Sequence, residues 1–299
     1  MPTGTRKKTT ARKQTTARKQ TTARKQTTAR KKPASRKRKT AGKKSSVRKL
    51  RIKLGTWPML GLAAAIVLAL VFLLVRKSGA QDAGTGARVP PGAWKYGIDI
   101  SHNNQGRIVW DSLFVMTDSR GRTVREPGMA RDIRPVGFVF IKASEGASMK
   151  DPDFRENWKS ARRSGIRRGA YHFFRSSKDG AEQARNFISA VGPLAAGDLP
   201  PVLDIETIHR GCTKKLLNER ALKWLKTVEA HYGVRPVVYA SATFAKDNLC
   251  DEIRNDYEIW VAHYGKDRPS YEGWTWWQFT DKGVVHGVPG FVDINVVKP

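Results

Sequence analysis

From residue 94 onward, short apolar runs recur at intervals that suit strands. In the first two thirds they are separated by stretches whose apolar residues fall three and four apart. Eight runs rich in β-branched and aromatic side chains mark strands over residues 96–100, 137–142, 169–174, 201–206, 236–241, 258–263, 275–280 and 291–296. Between them lie amphipathic helices. Asp151 and Pro152 open one whose inner face holds Phe154, Trp158 and Ala161 and which Gly165 ends. A second presents Ala181, Ala184, Ile188 and Val191 on one side. The longest carries Leu217, Ala221, Trp224, Val228 and Tyr232 and stops at Gly233. Shorter helical stretches are expected over 109–116 and 242–249.

Five strand-then-helix units in succession predict parallel strands with helical crossovers. After the sixth strand the connections 263–275 and 280–291 are polar, bear Gly and Pro, and are short for a helical crossover, which predicts hairpins. The expected class is α/β, a TIM-like (β/α)5β3 barrel.

Upstream the pattern changes twice. Residues 57–75 are 19 consecutive uncharged residues, about 28 Å as a helix and close to the hydrocarbon thickness of a bilayer. This predicts a transmembrane helix within 56–77. Ser78, Gly79 and Ala80 would suit a signal peptidase. The length of the apolar run, the long stretch before it and the Arg76-Lys77 pair after it argue instead for an uncleaved anchor. Residues 78–93, rich in Gly, Ala and Pro, read as a linker to a domain over 94–299.

Charge is divided just as sharply. Residues 1–55 hold 22 of the chain's 56 Lys and Arg and none of its 26 Asp and Glu, so of the net +30 only +8 belongs to the rest. TTARKQ repeats at Thr9, Thr15 and Thr21, and TTARK begins again at Thr27. Such a segment cannot bury enough surface to offset its ordering entropy and is expected to be disordered. Its ARKQTTARK run is similar to a histone tail, though composition alone supports only a polycation. Non-specific binding to nucleic acid or anionic lipid by counterion release is the expected consequence. Positive charge on this side places residue 1 in the cytoplasm. The domain is then periplasmic or extracellular, held at the cytoplasmic membrane by a single pass.

Candidate chemistry centres on Asp204 and Glu206, at the end of an apolar strand and separated by Ile205. Residues two apart in a strand share a face and lie roughly 7 Å apart. Two close acids push one pKa up, giving the protonated and ionised pair that glycoside hydrolysis needs. In barrels of this kind chemistry gathers at the C-terminal strand ends. Those ends hold Asp99, Glu145, His172, Tyr239, His263, Tyr264, Gln278 and Asp293, with the aromatics Tyr171, Phe173, Trp274, Trp276 and Trp277 near the same rim. Of these, Glu145, Tyr171, His172, Tyr239, Tyr264, Trp277 and Gln278 are expected to contact substrate, and an acid-lined, aromatic mouth suggests a polysaccharide. Cys and His show no metal-ligand spacing, so neither metal nor cofactor is expected. Whether Cys212 and Cys250 pair stays open.

The blocks GIDISH, FVFIKASEG, DPDFRENWKSARRSGIRRGAYHFF, PVLDIE, VVYAS, IWVAHY, WTWWQFT and VDIN follow one another from residue 96 to the C-terminus. In this order they resemble glycoside hydrolase family 25, the Chalaropsis-type lysozymes. That resemblance implies a (β/α)5β3 barrel and cleavage between N-acetylmuramic acid and N-acetylglucosamine in bacterial peptidoglycan, for wall turnover or lysis. It implies Glu206 as catalytic acid, Asp204 as its partner, and Asp99 and Asp293 as further active-site acids. Glu145 matches the acid of the family's K-A-T-E-G block, here KASEG, and is expected to position other groups. The nucleophile stays open between the substrate's own 2-acetamido group, oriented by Asp204, and a water activated by Asp99 or Asp293. Residues 117–135 are longer than the family's usual connection and are expected to form an extended loop at the barrel's N-terminal end.

Overall fold

The computed structural model describes residues 85–104 and 106–298. The basic stretch 1–55, the apolar span 57–75 and the linker as far as residue 84 lie outside the described residues. Among those described, no helix is long and apolar enough to cross a membrane.

In chain order the elements are β1 (Thr85–Arg88), β2 (Lys95–Ile100), β3 (Phe114–Thr117), β4 (Arg122–Val124), β5 (Asp132–Glu145), β6 (Met149–Lys150), α1 (Phe154–Arg163), β7 (Arg167–Phe173) and α2 (Gly180–Val191). They continue with β8 (Val202–Asp204), α3 (Lys214–Tyr232), β9 (Val237–Ser241), α4 (Ala242–Asn248), α5 (Asp251–Asp256), β10 (Glu258–Ala262), β11 (Trp274–Gly283) and β12 (Val292–Val297). Eight of the strands close a barrel in the order β2-β5-β7-β8-β9-β10-β11-β12, and β12 returns to β2. All neighbours are parallel except those of β12, which runs antiparallel to both β11 and β2.

Strand alternation builds two cores. Outward residues such as Val139, Ile141, Leu203, Val238 and Val261 pack beneath the helices with Phe187, Trp224 and Leu225. Inward residues Phe138, Phe140, Val202, Tyr239, Trp260 and Trp276 fill the barrel itself, with Phe140 stacked on Trp260 at 4.5 Å between ring centroids. Glycine makes this plug possible. A Cβ on Gly97 would stand 2.2 Å from the Phe138 ring, and one on Gly169 would stand 2.5 Å from Phe140. The helices have definite ends: the Asp179 side chain accepts the N–H groups of Ala181 and Glu182 to start α2, and Gly233 adopts the left-handed conformation that ends α3.

Three expectations are corrected. First, the stretch 109–116 is no helix. Trp110–Ser112 forms one 3-10 turn, and Phe114–Thr117 is β3, paired antiparallel with the N-terminal extension of β5. Consequently 117–135 is no open loop but a hairpin, its turn set by Asp118 accepting from the N–H groups of Arg120 and Arg122. The first β-to-β crossover therefore carries a small antiparallel sheet, and only the next four carry helices.

Second, the linker's C-terminal part is ordered, because β1 pairs with β4. Third, β10 and β11 form no hairpin. They run parallel, and the loop 263–273 is pinned by Trp277 Nε1 donating to the His263 carbonyl at 2.9 Å. Cys212 and Cys250 are free thiols.

Candidate active site

The barrel's alternation decides which side chains meet at its C-terminal mouth. Asp99, Lys142, Tyr171, Phe173, Asp204, Tyr239, Trp260, Gln278 and Asp293 all point inward and line one cavity of about 300 Å3, together with Ser101, Asn103, Asn104 and Glu206.

On one wall, β2 and β12 place Asp99 directly opposite Asp293. Asp99 Oδ2 accepts from Gln278 Nε2 and from Asn295 Nδ2, each at 2.8 Å. Burial raises the pKa of Asp99, and these donors oppose the rise. Among the described residues, Asp293 has no such amides. Burial, then the charge of Asp99, push it up to about 9. Of the two, Asp293 is therefore the one that holds a proton at neutral pH, and it donates it to Asp99. Gln278 is the hub of this wall: its Oε1 accepts from Tyr239 Oη at 2.8 Å and Tyr264 Oη at 2.6 Å.

Across the cavity, β8 ends at Asp204, which is 5% exposed, with Oδ1 buried and without a hydrogen-bond partner among the described residues. Burial, then the nearby charge of Glu206, drive its pKa well above the ordinary aspartate value. Glu206 stands just beyond the strand, exposed at the rim. Partial desolvation and the charge of Asp99 raise its pKa as well, while Lys142 and Arg175 pull the other way. The resemblance implies Glu206 as the acid of the pair; both carboxyls are raised, and the deeper Asp204 has the larger push, because it is the more desolvated.

The remaining expected substrate contacts divide. Tyr171, Tyr239 and Gln278 line the cavity, and Tyr264 borders a neighbouring pocket that shares Glu206 and Tyr239. His172 does not reach it. It alternates outward, fully buried between barrel and helices, against Ser144 Oγ at 2.8 Å and Gln183 Oε1 at 3.3 Å, with its ring stacked on Trp224. Burial lowers its pKa to about 3, so it is a neutral packing group. Trp277 also faces outward, fully buried among Trp94, Trp274 and Phe279.

Glu145 lies beyond the cavity lining, its carboxylate engaged by Lys142 Nζ at 2.7 Å and by Arg175 Nε at 2.9 Å. Burial would raise its pKa, but these two cations outweigh burial and hold it low. Its carboxylate faces these two cations, outside the cavity lining. Lys142, Trp260 and Asn295 were absent from the sequence expectation. Each lies an even number of residues from an inward neighbour on its own strand, namely Phe140, Ala262 and Asp293, and that parity is the signal that finds them.

A sequence model described as glycosyl hydrolases family 25 matches residues 98–288. The Escherichia coli K12 protein YegX is 40% identical over 212 residues, covering 70% of this chain and 71% of that protein. Lysozyme M1 of Streptomyces globisporus is 35% identical over 215 residues, 67% of this chain and 66% of the lysozyme. Among solved structures, the bacterial lysozyme from Streptomyces coelicolor superposes with a TM-score of 0.59 at 30% identity, over 70% of this chain and 94% of that one.

Proposed function

The chain belongs to glycosyl hydrolases family 25, and from that premise we propose that residues 94–299 are a muramidase domain, cleaving the β-1,4 bond on the N-acetylmuramic acid side. As a family 25 lysozyme homologue it is a glycoside hydrolase acting on peptidoglycan. The observation that carries the finer reading is Asp204 Oδ1, a buried acceptor with no donor, in the same cavity as Glu206.

A buried polar atom without a partner is costly unless a ligand supplies one. The 2-acetamido N–H of muramic acid is such a donor. Its hydrogen bond would stabilise ionised Asp204, leaving the available proton on Glu206. Glu206 then protonates the glycosidic oxygen while the acetamido oxygen attacks the anomeric carbon and the bond to the leaving sugar breaks. Asp204 stabilises the positive charge on the resulting ring nitrogen. Water, deprotonated by the Glu206 carboxylate, next attacks the anomeric carbon and restores the acetamido group and the acid. Asp99, held by Gln278 and Asn295, supplies a fixed negative charge near the oxocarbenium-like transition state.

The reading extends to the rest of the chain. Residues 57–75 tether the domain outside the cytoplasmic membrane, and the basic tail binds nucleic acid or anionic lipid on the inner side. Digestion of purified peptidoglycan by the full chain, followed by borohydride reduction, tests the central claim. New reducing ends should be muramic acid; glucosamine ends, or none, would refute it. Protease added to spheroplasts should remove the domain and spare the tail, and the reverse pattern would refute the tether. Tail binding to duplex DNA should weaken with log salt at roughly −0.9 per phosphate engaged, and a salt-independent affinity would refute the counterion reading.

A further inference from the structure

The catalytic cavity shares lining residues with two neighbouring spaces, and these differ chemically. Glu206 and Tyr239 it shares with a space of about 370 Å3 walled by Tyr264 and His263. Aromatic faces of this kind suit the C–H face of a pyranose. Ser101 and Asn104 it shares with a groove of about 770 Å3 between the segment after β2 and helix α1. That volume lies within the ~300–1,000 Å3 typical of pockets that enclose small ligands.

Trp110 gives the groove one aromatic wall, and what sets it apart from the other end is its charge. Glu156 and Arg163 neutralise one another at 3.1 Å, and Asp111 accepts from Ser164 Oγ at 2.6 Å. Arg107 and Asp153 are different: both line the groove, and neither side chain has a partner among the described residues. The sill between groove and cavity is stiff. Asn104 Oδ1 accepts the Ser101 N–H at 2.8 Å, and His102 is tied to the buried Asp151 through its N–H at 3.1 Å and its Nδ1 at 2.6 Å. Asp151 leads into α1, so these bonds fix the segment after β2 against the helix that forms the opposite wall.

A run of N-acetylated sugars offers no charge to an unpartnered cation and anion. The muramic acid residue does, through the peptide on its lactyl group, which carries both carboxylates and an ammonium. We infer that the groove beside Ser101 and Asn104 binds this peptide stem, with Arg107 receiving a carboxylate and Asp153 an ammonium. The inference rests on the muramidase reading and makes the enzyme a reader of stem-bearing glycan. Arg107 can engage a carboxylate through two parallel N–H groups, which gives orientation as well as attraction.

The test uses the full chain, the double variant Arg107→Ala/Asp153→Asn, and two substrates: intact peptidoglycan and the same glycan stripped of stems by an amidase. The ratio of kcat/KM on intact over stripped glycan should fall about tenfold in the double variant, through KM. Free stem peptide should bind the wild-type chain in a calorimetric titration and bind the variant at least tenfold more weakly. Because the amidase leaves a lactyl carboxylate on each stripped muramic acid, equal losses on both glycans would assign the groove to the sugar with that carboxylate and overturn the inference, as would equal peptide affinity in the two proteins. A wild-type chain that cleaves neither glycan would refute the muramidase reading instead, and the titration would still decide the groove.

Discussion

Replacing Asp293 with asparagine should make the domain more stable, increasingly so as pH rises. Asp293 titrates at about 9 in the folded protein against an ordinary 3.8. A carboxyl raised in this way contributes stability that is complete below its unfolded pKa and is lost as pH rises toward the folded one, since the native state then binds the extra proton. Between 3.8 and neutral pH the gap is about three pH units, which sets a ceiling of about 4 kcal/mol on what the variant can recover. Asp99 shares the proton, so about half that ceiling, ~2 kcal/mol, is the expected gain at pH 7. The asparagine amide can donate to Asp99 as the protonated carboxyl does, so no donor is lost. For a domain of this size the gain corresponds to about 4–8 °C in Tm. Urea unfolding of the wild type and of Asp293→Asn at pH 4, 5.5 and 7 measures it. A variant destabilised at every pH, or stabilised equally at all three, would refute the shared-proton account.

Glu206→Gln should retain the fold and lose about 10²–10⁴-fold in kcat, the usual contribution of a positioned acid, measured by release of reducing ends; residual activity above a few per cent would remove Glu206 from that role. Asp99→Asn removes a charge that raises the pKa of Glu206, so the alkaline limb of the pH–rate profile should move to lower pH, and an unmoved or raised limb would contradict the electrostatic coupling. Trp277→Ala, which empties a fully buried outward site, should cost about 3–5 kcal/mol in chemical denaturation with little change in KM at a temperature where the variant is folded; a large KM effect would return Trp277 to the binding site.

Local sequence pattern carried much of this molecule. Sequence pattern located all eight barrel strands and four of the helices, the short one over 242–248 included, because a buried strand and an amphipathic helix each need their own spacing to cover a core. The D-x-E spacing also put Asp204 and Glu206 together without reference to any distant residue. What the pattern left undetermined depended on pairing between segments. Phe114–Thr117 is a strand only because β5 extends past the barrel to pair with it, and β11 runs parallel to β10 only because the loop 263–273 carries the chain back along the barrel.

The site followed the same division. Tyr171 and His172 adjoin on β7, and Trp277 and Gln278 adjoin on β11, yet consecutive strand residues face opposite ways, so only one of each pair could enter the cavity. Composition ranked all four as plausible contacts. The register of each strand in the closed barrel selected Tyr171 and Gln278, and with them Lys142, Trp260 and Asn295. Which acid holds the proton is decided at the same level. Asp293 and Asp99 are similar in sequence, but only the folded barrel brings two amide donors to Asp99 and leaves Asp293 without them.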